Sequence, residues 1–139
     1  MPRIAPYTAI IADTHPISRL AIRTLMTRHG HIVVGEADNS SETFQLARAQ
    51  VPDIIILDLN SPHEDGLSTL SLLQSLPITI PALVFSALDN ADYAVRCLEL
   101  GVAGFVSKKA ELRELLSAVN AVLLDYSYFP SQLLKRIQP

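Results

Sequence analysis

The stretch that most constrains this chain is Ile54-Ile55-Ile56-Leu57 running directly into Asp58. Four large aliphatic side chains with no polar alternation suit a strand covered on both faces, the position of a central strand in a parallel sheet. Pro52 leads into the run, and Asn60-Ser61-Pro62 closes it with turn chemistry. Asp58 then falls at the carboxyl end of the strand, the rim where open α/β sheets keep their ligand crevice.

The remainder of the chain alternates strand and helix around this run. Residues 7–12 read as a short Ile-rich strand ending at Asp13, and Pro16 fits the first turn of the helix that follows. Ile17, Leu20, Ala21 and Leu25 recur at helical spacing and predict its buried face, with Gly30 as the stop. A second strand is expected over 32–37. Asn39-Ser40-Ser41 supplies an N-cap for a helix to about residue 50, filled by Phe44, Leu46, Ala47 and Ala49. Beyond the central strand, Ser61-Pro62-His63-Glu64-Asp65-Gly66 is a turn, and a third helix runs over about 67–76 to Pro77. Residues 81–85 form a strand ending at Ser86, and Asp89 or Asn90 caps a helix that Gly101 stops. Residues 104–107 form a short strand ending at Lys108. The last long helix, about 110–124, carries Leu112, Leu115, Leu116, Val119, Val122 and Leu123 on one stripe. Five strand–helix units in this order predict an α/β fold: a doubly wound, five-stranded parallel sheet with helices on both faces and right-handed crossovers. Residues 1–125 make up the domain. Residues 126–139, rich in aromatic, proline and basic residues, read as a C-terminal tail or the start of a linker, with one helical turn at 131–136.

In such a sheet all strand ends open on one rim, which gathers Asp13, Asp58, Ser86 and Lys108 although they are far apart in sequence. Neighbouring carboxylates repel unless a cation joins them, and hard oxygen ligands suit Mg²⁺. An ionised Asp can act as a nucleophile towards phosphorus. The metal and Lys108 would neutralise phosphoryl oxygens, and the Ser86 hydroxyl could donate a hydrogen bond to one of them.

Composition excludes several other classes. With 49% hydrophobic and 18% charged residues over 139 positions, the chain is globular rather than disordered. A net charge of −3 argues against a basic nucleic-acid face. There is no apolar run of membrane-spanning length and no secretory signal pattern, so no membrane association and a cytoplasmic location are expected. The single cysteine, Cys97, lies in an apolar helical pattern. It reads as a core residue in a reducing compartment.

Four segments in this order and spacing resemble the receiver domain of two-component response regulators: Ile11-Ala12-Asp13-Thr14-His15-Pro16; Ile55 to Gly66; Phe85-Ser86-Ala87; and Gly101-Val102-Ala103-Gly104-Phe105-Val106-Ser107-Lys108. The resemblance covers about residues 7–125. The Asp-x-His-Pro start is similar to that of regulators of the LuxR/NarL type, which carry a C-terminal helix-turn-helix. The resemblance implies a CheY-like fold with strand order 2-1-3-4-5. It implies Asp58 as phosphoacceptor and metal ligand, Asp13 as a metal residue, and the main-chain carbonyl of Asn60 as a further ligand. Ser86 matches the switch hydroxyl, Lys108 the phosphate-pairing lysine and Phe105 the switch aromatic, while Ala87 keeps the phosphate entrance small. Thr14 stands where the family has its second acid. It offers a hydroxyl but no charge, so weakened Mg²⁺ binding is expected. The implied partner is a histidine kinase or phosphotransfer protein, with a possible homodimer. DNA would be engaged only through a C-terminal domain outside this chain. No enzymatic turnover is implied beyond the domain's own phosphoryl transfer and dephosphorylation.

Other readings compete with these. A flavodoxin-like nucleotide or flavin binder shares the sheet, but Asp13-Thr14-His15-Pro16 has no glycine and carries negative charge where a phosphate-cradling loop is needed. A partly degenerate receiver that signals through protein interaction, without phosphorylation, is the alternative left open by Thr14. Phe105 also suits plain core packing. His15 and His63 share no evident partner and read as surface residues, and Lys109 as solvated.

Overall fold

The computed structural model describes residues 6–60 and 66–137. The elements follow in the order β1 (Thr8–Ala12), α1 (Pro16–Arg28), β2 (Ile32–Ala37), α2 (Ser40–Gln50), β3 (Ile54–Leu57), α3 (Gly66–Gln74), β4 (Ala82–Ser86), α4 (Ala91–Glu99), β5 (Gly104–Ser107), α5 (Leu112–Leu123) and α6 (Ser131–Ile137). The five strands form one parallel sheet in the order β2-β1-β3-β4-β5. The turn containing His63 lies outside the described residues. Among the described residues no helix is long and apolar enough to cross a membrane.

The aliphatic run in β3 is divided between two cores by strand alternation. Ile55 and Leu57 join Ile10, Leu70, Val84, Cys97 and Phe105 on one face of the sheet. Ile54 and Ile56 join Ile11, Ile22, Met26, Val106, Leu115 and Val119 on the other. Each Ile of β3 is fully buried, and burying such a side chain contributes about 1.5–3 kcal/mol. β3 thus anchors both layers. The caps expected from the sequence also form: Asn39 accepts a hydrogen bond from the Glu42 amide at 2.8 Å and Asn90 from the Tyr93 amide at 2.9 Å.

Three features depart from the sequence reading. In α1 the buried residues are Ile22 and Met26, while Ile17 and Leu20 are 83% and 52% exposed. Six apolar residues crowd this helix on two overlapping stripes, and the stripe centred on Ile22 and Met26 is the one that meets the sheet. In α5, Leu112 is exposed because the helix begins there, after Glu111 at the N-cap, and not at Ala110.

The third departure is the stretch after α5, which is built into the fold. Tyr128 forms a parallel bridge with Gly104 on the outer side of β5. The Tyr128 amide donates to the Ala103 carbonyl at 3.1 Å, and the Phe105 amide donates to the Tyr128 carbonyl at 2.9 Å. Gly104 permits this approach, since a Cβ there would lie 2.9 Å from the Tyr128 carbonyl oxygen. α6 then packs against α4 and buries Leu133 beside Ala94 and Phe105.

Candidate functional site

The ladder of the sheet continues one residue beyond the strands, and this sets the site. The Asp58 amide donates to the Ala12 carbonyl, the Asp13 amide to the Ala37 carbonyl and the Lys108 amide to the Ser86 carbonyl, each at 2.9 Å. Asp13 and Asp58 therefore arrive at the same level of the rim, and Lys108, two residues further out in register, reaches back to both with its long side chain. At the opposite end of β1 and β3, a latch holds that register. Asp53 Oδ2 accepts from the Thr8 amide at 2.7 Å and from its hydroxyl at 3.1 Å, while the Asp53 amide donates to the Thr8 carbonyl.

The two carboxylates are almost wholly buried, their side chains 1% and 2% exposed. Lys108 Nζ lies 2.8 Å from Asp13 Oδ2 and 2.8 Å from Asp58 Oδ2. These contacts are ionic rather than well-directed hydrogen bonds, because both Oδ2 atoms lack a hydrogen-bond partner of acceptable geometry. Two inward-facing carboxylate oxygens thus share one ammonium, leaving the trio one negative charge in excess. The remaining oxygens are tied down. Asp58 Oδ1 accepts from the Asn60 amide at 2.9 Å, and Asp13 Oδ1 accepts from the His15 amide at 2.8 Å. Arg19 Nη1 donates to the Asp13 carbonyl at 2.7 Å, holding the start of α1 against the site.

Of the other expected residues, Ser86 is fully buried, and its Oγ accepts from the Leu88 amide at 3.0 Å, leaving its own O–H to donate elsewhere. Ala87 is exposed beside it. Thr14 is half-buried and lines, with Asp13, Asp58, Asn39 and Thr69, a cavity of about 30 Å³, which has room for a water-sized ligand. Phe105 is not at the cluster. Its ring is buried on the α4 side of the sheet, edge-on to Tyr93 at 6.2 Å between centroids. It already points inward, with a cavity of about 250 Å³ between it, Ala94, Glu114 and Leu133. Behind β5, the Ser107 hydroxyl donates to Asp89 Oδ2 at 2.7 Å, and this hydrogen bond is the main reason the Asp89 carboxyl titrates below its ordinary range.

His15 is the residue that the sequence reading missed. Its side chain is 59% exposed, yet Nδ1 lies 3.1 Å from Asp13 Oδ1, 3.4 Å from Lys108 Nζ and 4.0 Å from Asp58 Oδ2. The signal was present in the spacing: an Asp two residues before the N-cap of α1 folds back on that cap, and the cap's side chain follows. Asp13, His15 and Asp58 together can offer ligand atoms within 4.8 Å of one another. Two buried carboxylate oxygens without hydrogen bonds, facing one another across an ammonium, have the chemistry of a divalent-cation site.

Comparison with known proteins bears on what this arrangement is. The family model for the response regulator receiver domain matches residues 9–120. A Pseudomonas aeruginosa protein named as a transcriptional regulator is 46% identical over 128 residues, covering 92% of this chain and 62% of that protein. The DNA-binding transcriptional activator EvgA of Escherichia coli is 31% identical over 125 residues, covering 90% of this chain and 61% of its own length. The chain therefore spans about three fifths of the length of these relatives. Among solved structures, a LuxR-family two-component response regulator from Aurantimonas sp. superposes with a TM-score of 0.87 at 28% identity, covering 96% of both chains. The sheet order, the acidic rim and these matches agree: the chain belongs to the receiver domains of two-component response regulators.

Proposed function

We propose that Asp58 is the phosphoacceptor of this receiver. The observation that carries the reading is the Asp58 carboxylate, buried at the rim with Lys108 Nζ 2.8 Å from its Oδ2 and Asn60 N–H on its Oδ1. One hydrogen-bonded oxygen fixes the carboxylate's orientation, and the other faces the Lys108 ammonium. In the transfer, an Asp58 oxygen forms a bond to phosphorus as the phosphorus–nitrogen bond of a donor phosphohistidine breaks, and the imidazole leaves with a proton. Lys108 leaves Asp13 to pair with the new phosphoryl oxygens, and the Ser86 hydroxyl donates to one of them. A Mg²⁺ bound between Asp13, Asp58 and the Asn60 carbonyl would supply charge neutralisation for the transfer.

The phosphoryl group carries about −1.5 to −2 charges and replaces the single charge of the Asp58 carboxylate, so the excess negative charge of the pocket grows by about one half to one. Relief comes from drawing in Lys108 and Ser86, whose main chains are joined through the Lys108 amide. The β4–α4 connection must follow, because Leu88 N–H is bonded to Ser86 Oγ. Phe105 is inward in the structure, so the output reads through repacking of α4, β5 and α6 around it rather than through a ring arriving from outside. The phosphodonor is a histidine kinase or phosphotransfer protein in the cytoplasm. Transcriptional output, as borne by the relatives' names, would be exerted through a DNA-binding segment in a longer protein. The domain turns over no substrate other than its own phosphoryl group.

Incubation with acetyl phosphate and Mg²⁺ followed by intact-mass measurement tests this. A gain of one phosphoryl group, absent in Asp58→Ala, is expected. No gain with acetyl phosphate or a phosphorylated kinase domain would favour a receiver that works by interaction alone, its carboxylates locked by Lys108.

A further inference from the structure

We infer that His15 is a metal ligand in this receiver, and that it makes the Asp13–Asp58 pocket a site for a divalent transition metal such as Mn²⁺ or Co²⁺ in preference to Mg²⁺. The inference rests on the same pocket as the proposed function, but not on phosphorylation.

Three observations support it. Thr14 leaves this pocket with two carboxylates, one ligand fewer than the family pattern, so a coordination position is open to a donor of another kind. The ammonium of Lys108 shows where a positive charge settles: 2.8 Å from Asp13 Oδ2, 2.8 Å from Asp58 Oδ2 and 3.4 Å from His15 Nδ1. The third neighbour of that point is a ring nitrogen. Finally, the donor spacing suits one coordination sphere. Donors about 2.1 Å from a metal stand about 3.0 Å apart when adjacent and about 4.2 Å apart when opposite. His15 Nδ1 lies 4.0 Å from Asp58 Oδ2, close to the spacing of opposite donors, and its 3.1 Å hydrogen bond with Asp13 Oδ1 is the contact a cation would replace. The buried Oδ2 atoms of both aspartates, lacking hydrogen bonds, complete the set.

The choice of metal follows from donor type. Mg²⁺ favours oxygen and gives up water reluctantly, whereas first-row divalent ions accept an imidazole nitrogen more readily, Co²⁺ more strongly than Mn²⁺. Replacing a carboxylate by an imidazole therefore weakens the hard ion and strengthens the borderline one. The ring is exposed, so exchanging its hydrogen bond to Asp13 Oδ1 for a bond to the cation leaves the core undisturbed. Its position is already guided, since its own amide is held by Asp13 Oδ1 at 2.8 Å.

Titration of the full chain with Mn²⁺, Co²⁺ and Mg²⁺ tests the assignment, read by calorimetry and, for Mn²⁺, by electron spin-echo modulation from coordinated ¹⁴N. Wild-type protein should bind Mn²⁺ at least tenfold more tightly than Mg²⁺ and show ¹⁴N coupling. His15→Ala and His15→Gln should each lose that coupling and at least tenfold in Mn²⁺ affinity, with Mg²⁺ affinity within twofold. Thr14→Asp should raise Mg²⁺ affinity and narrow the preference. Unchanged Mn²⁺ binding in the His15 variants, or no ¹⁴N coupling in wild type, overturns the inference. So does equal weakening of both metals, which would show that His15 only props Asp13. Intact-mass phosphorylation separates the two readings. A phosphoryl gain with no effect of His15 on metal leaves the phosphoacceptor standing and removes the ligand. A His15-dependent metal with no phosphoryl gain does the reverse.

Discussion

Replacing Lys108 by Met tests the electrostatics of the pocket most directly. At 2.8 Å each ion pair is worth about 6 kcal/mol of gross attraction at an effective dielectric constant of 20. Much of this offsets the cost of holding three charged groups away from water. Lys108→Met removes the attraction and keeps two buried carboxylates, the situation in which loss of one partner typically costs about 3–5 kcal/mol. The Lys108 side chain is 14% exposed, so water can reach its place and the lower end of that range is expected. A loss of about 3 kcal/mol lowers the melting temperature of a domain this size by roughly 10 °C. Urea unfolding of wild type and variant in EDTA measures it. The same titration in saturating Mg²⁺ should stabilise the variant more than wild type, because the ammonium and the cation compete for the same Oδ2 atoms and binding to the folded state stabilises by mass action. A loss below about 1 kcal/mol, or an equal Mg²⁺ increment in both proteins, would refute the shared-ammonium picture.

Three further outcomes are expected. His31 sits buried with Nδ1 accepting from the Tyr7 amide, and burial first, then nearby His29, lowers its pKa against a smaller opposing pull from Asp53. The unfolded imidazole protonates first, so this contribution is complete above about pH 6.5 and is lost as pH falls below it through the folded value. Melting temperature should drop from pH 7 to 5.5 more steeply in wild type than in His31→Asn, and equal slopes would count against it. Cys97 is fully buried, and burial pushes its thiol up to about 11. It should resist a thiol reagent at pH 8 and react once unfolded; prompt reaction in the native state would contradict the packing. Ile17 and Leu20 are exposed at the start of α1 beside the site, so Ile17→Glu with Leu20→Glu should slow transfer from a cognate kinase at least tenfold. Acetyl phosphate labelling should stay within twofold, and a parallel loss of both would point to damage of the pocket instead.

What was legible in the sequence follows from how local each signal is. The β3 run, the Asn39 and Asn90 caps and the strand ends carrying Asp13, Asp58, Ser86 and Lys108 could be read because each depends on near neighbours and the period of its own element. The buried face of α1 could not. Ile17, Leu20, Ala21, Ile22, Leu25 and Met26 populate two stripes of similar hydrophobicity, and only the sheet beneath selects one. The Thr8–Asp53 latch and the Gly104–Tyr128 bridge join residues far apart in sequence, and no local pattern announces them. The His15 contact was hidden for a different reason. The only local signal is the Asp13-x-His15 spacing, which is common at helix starts and does not by itself mark a histidine that contacts a site.

The Tyr128 bridge has a consequence for self-association. In an open sheet the last strand presents unpaired amides and carbonyls, a template on which a second polypeptide can be added. β5 is that strand, and the segment after α5 occupies its outward-facing hydrogen bonds at Ala103 and Phe105, while Leu133 covers the apolar surface beside it. Without this cover, a domain ending at residue 125 would keep its acidic pocket but display a sticky strand and a bare Phe105 flank. Dimers or larger aggregates of such a fragment would then reflect an unsealed sheet rather than a regulated assembly.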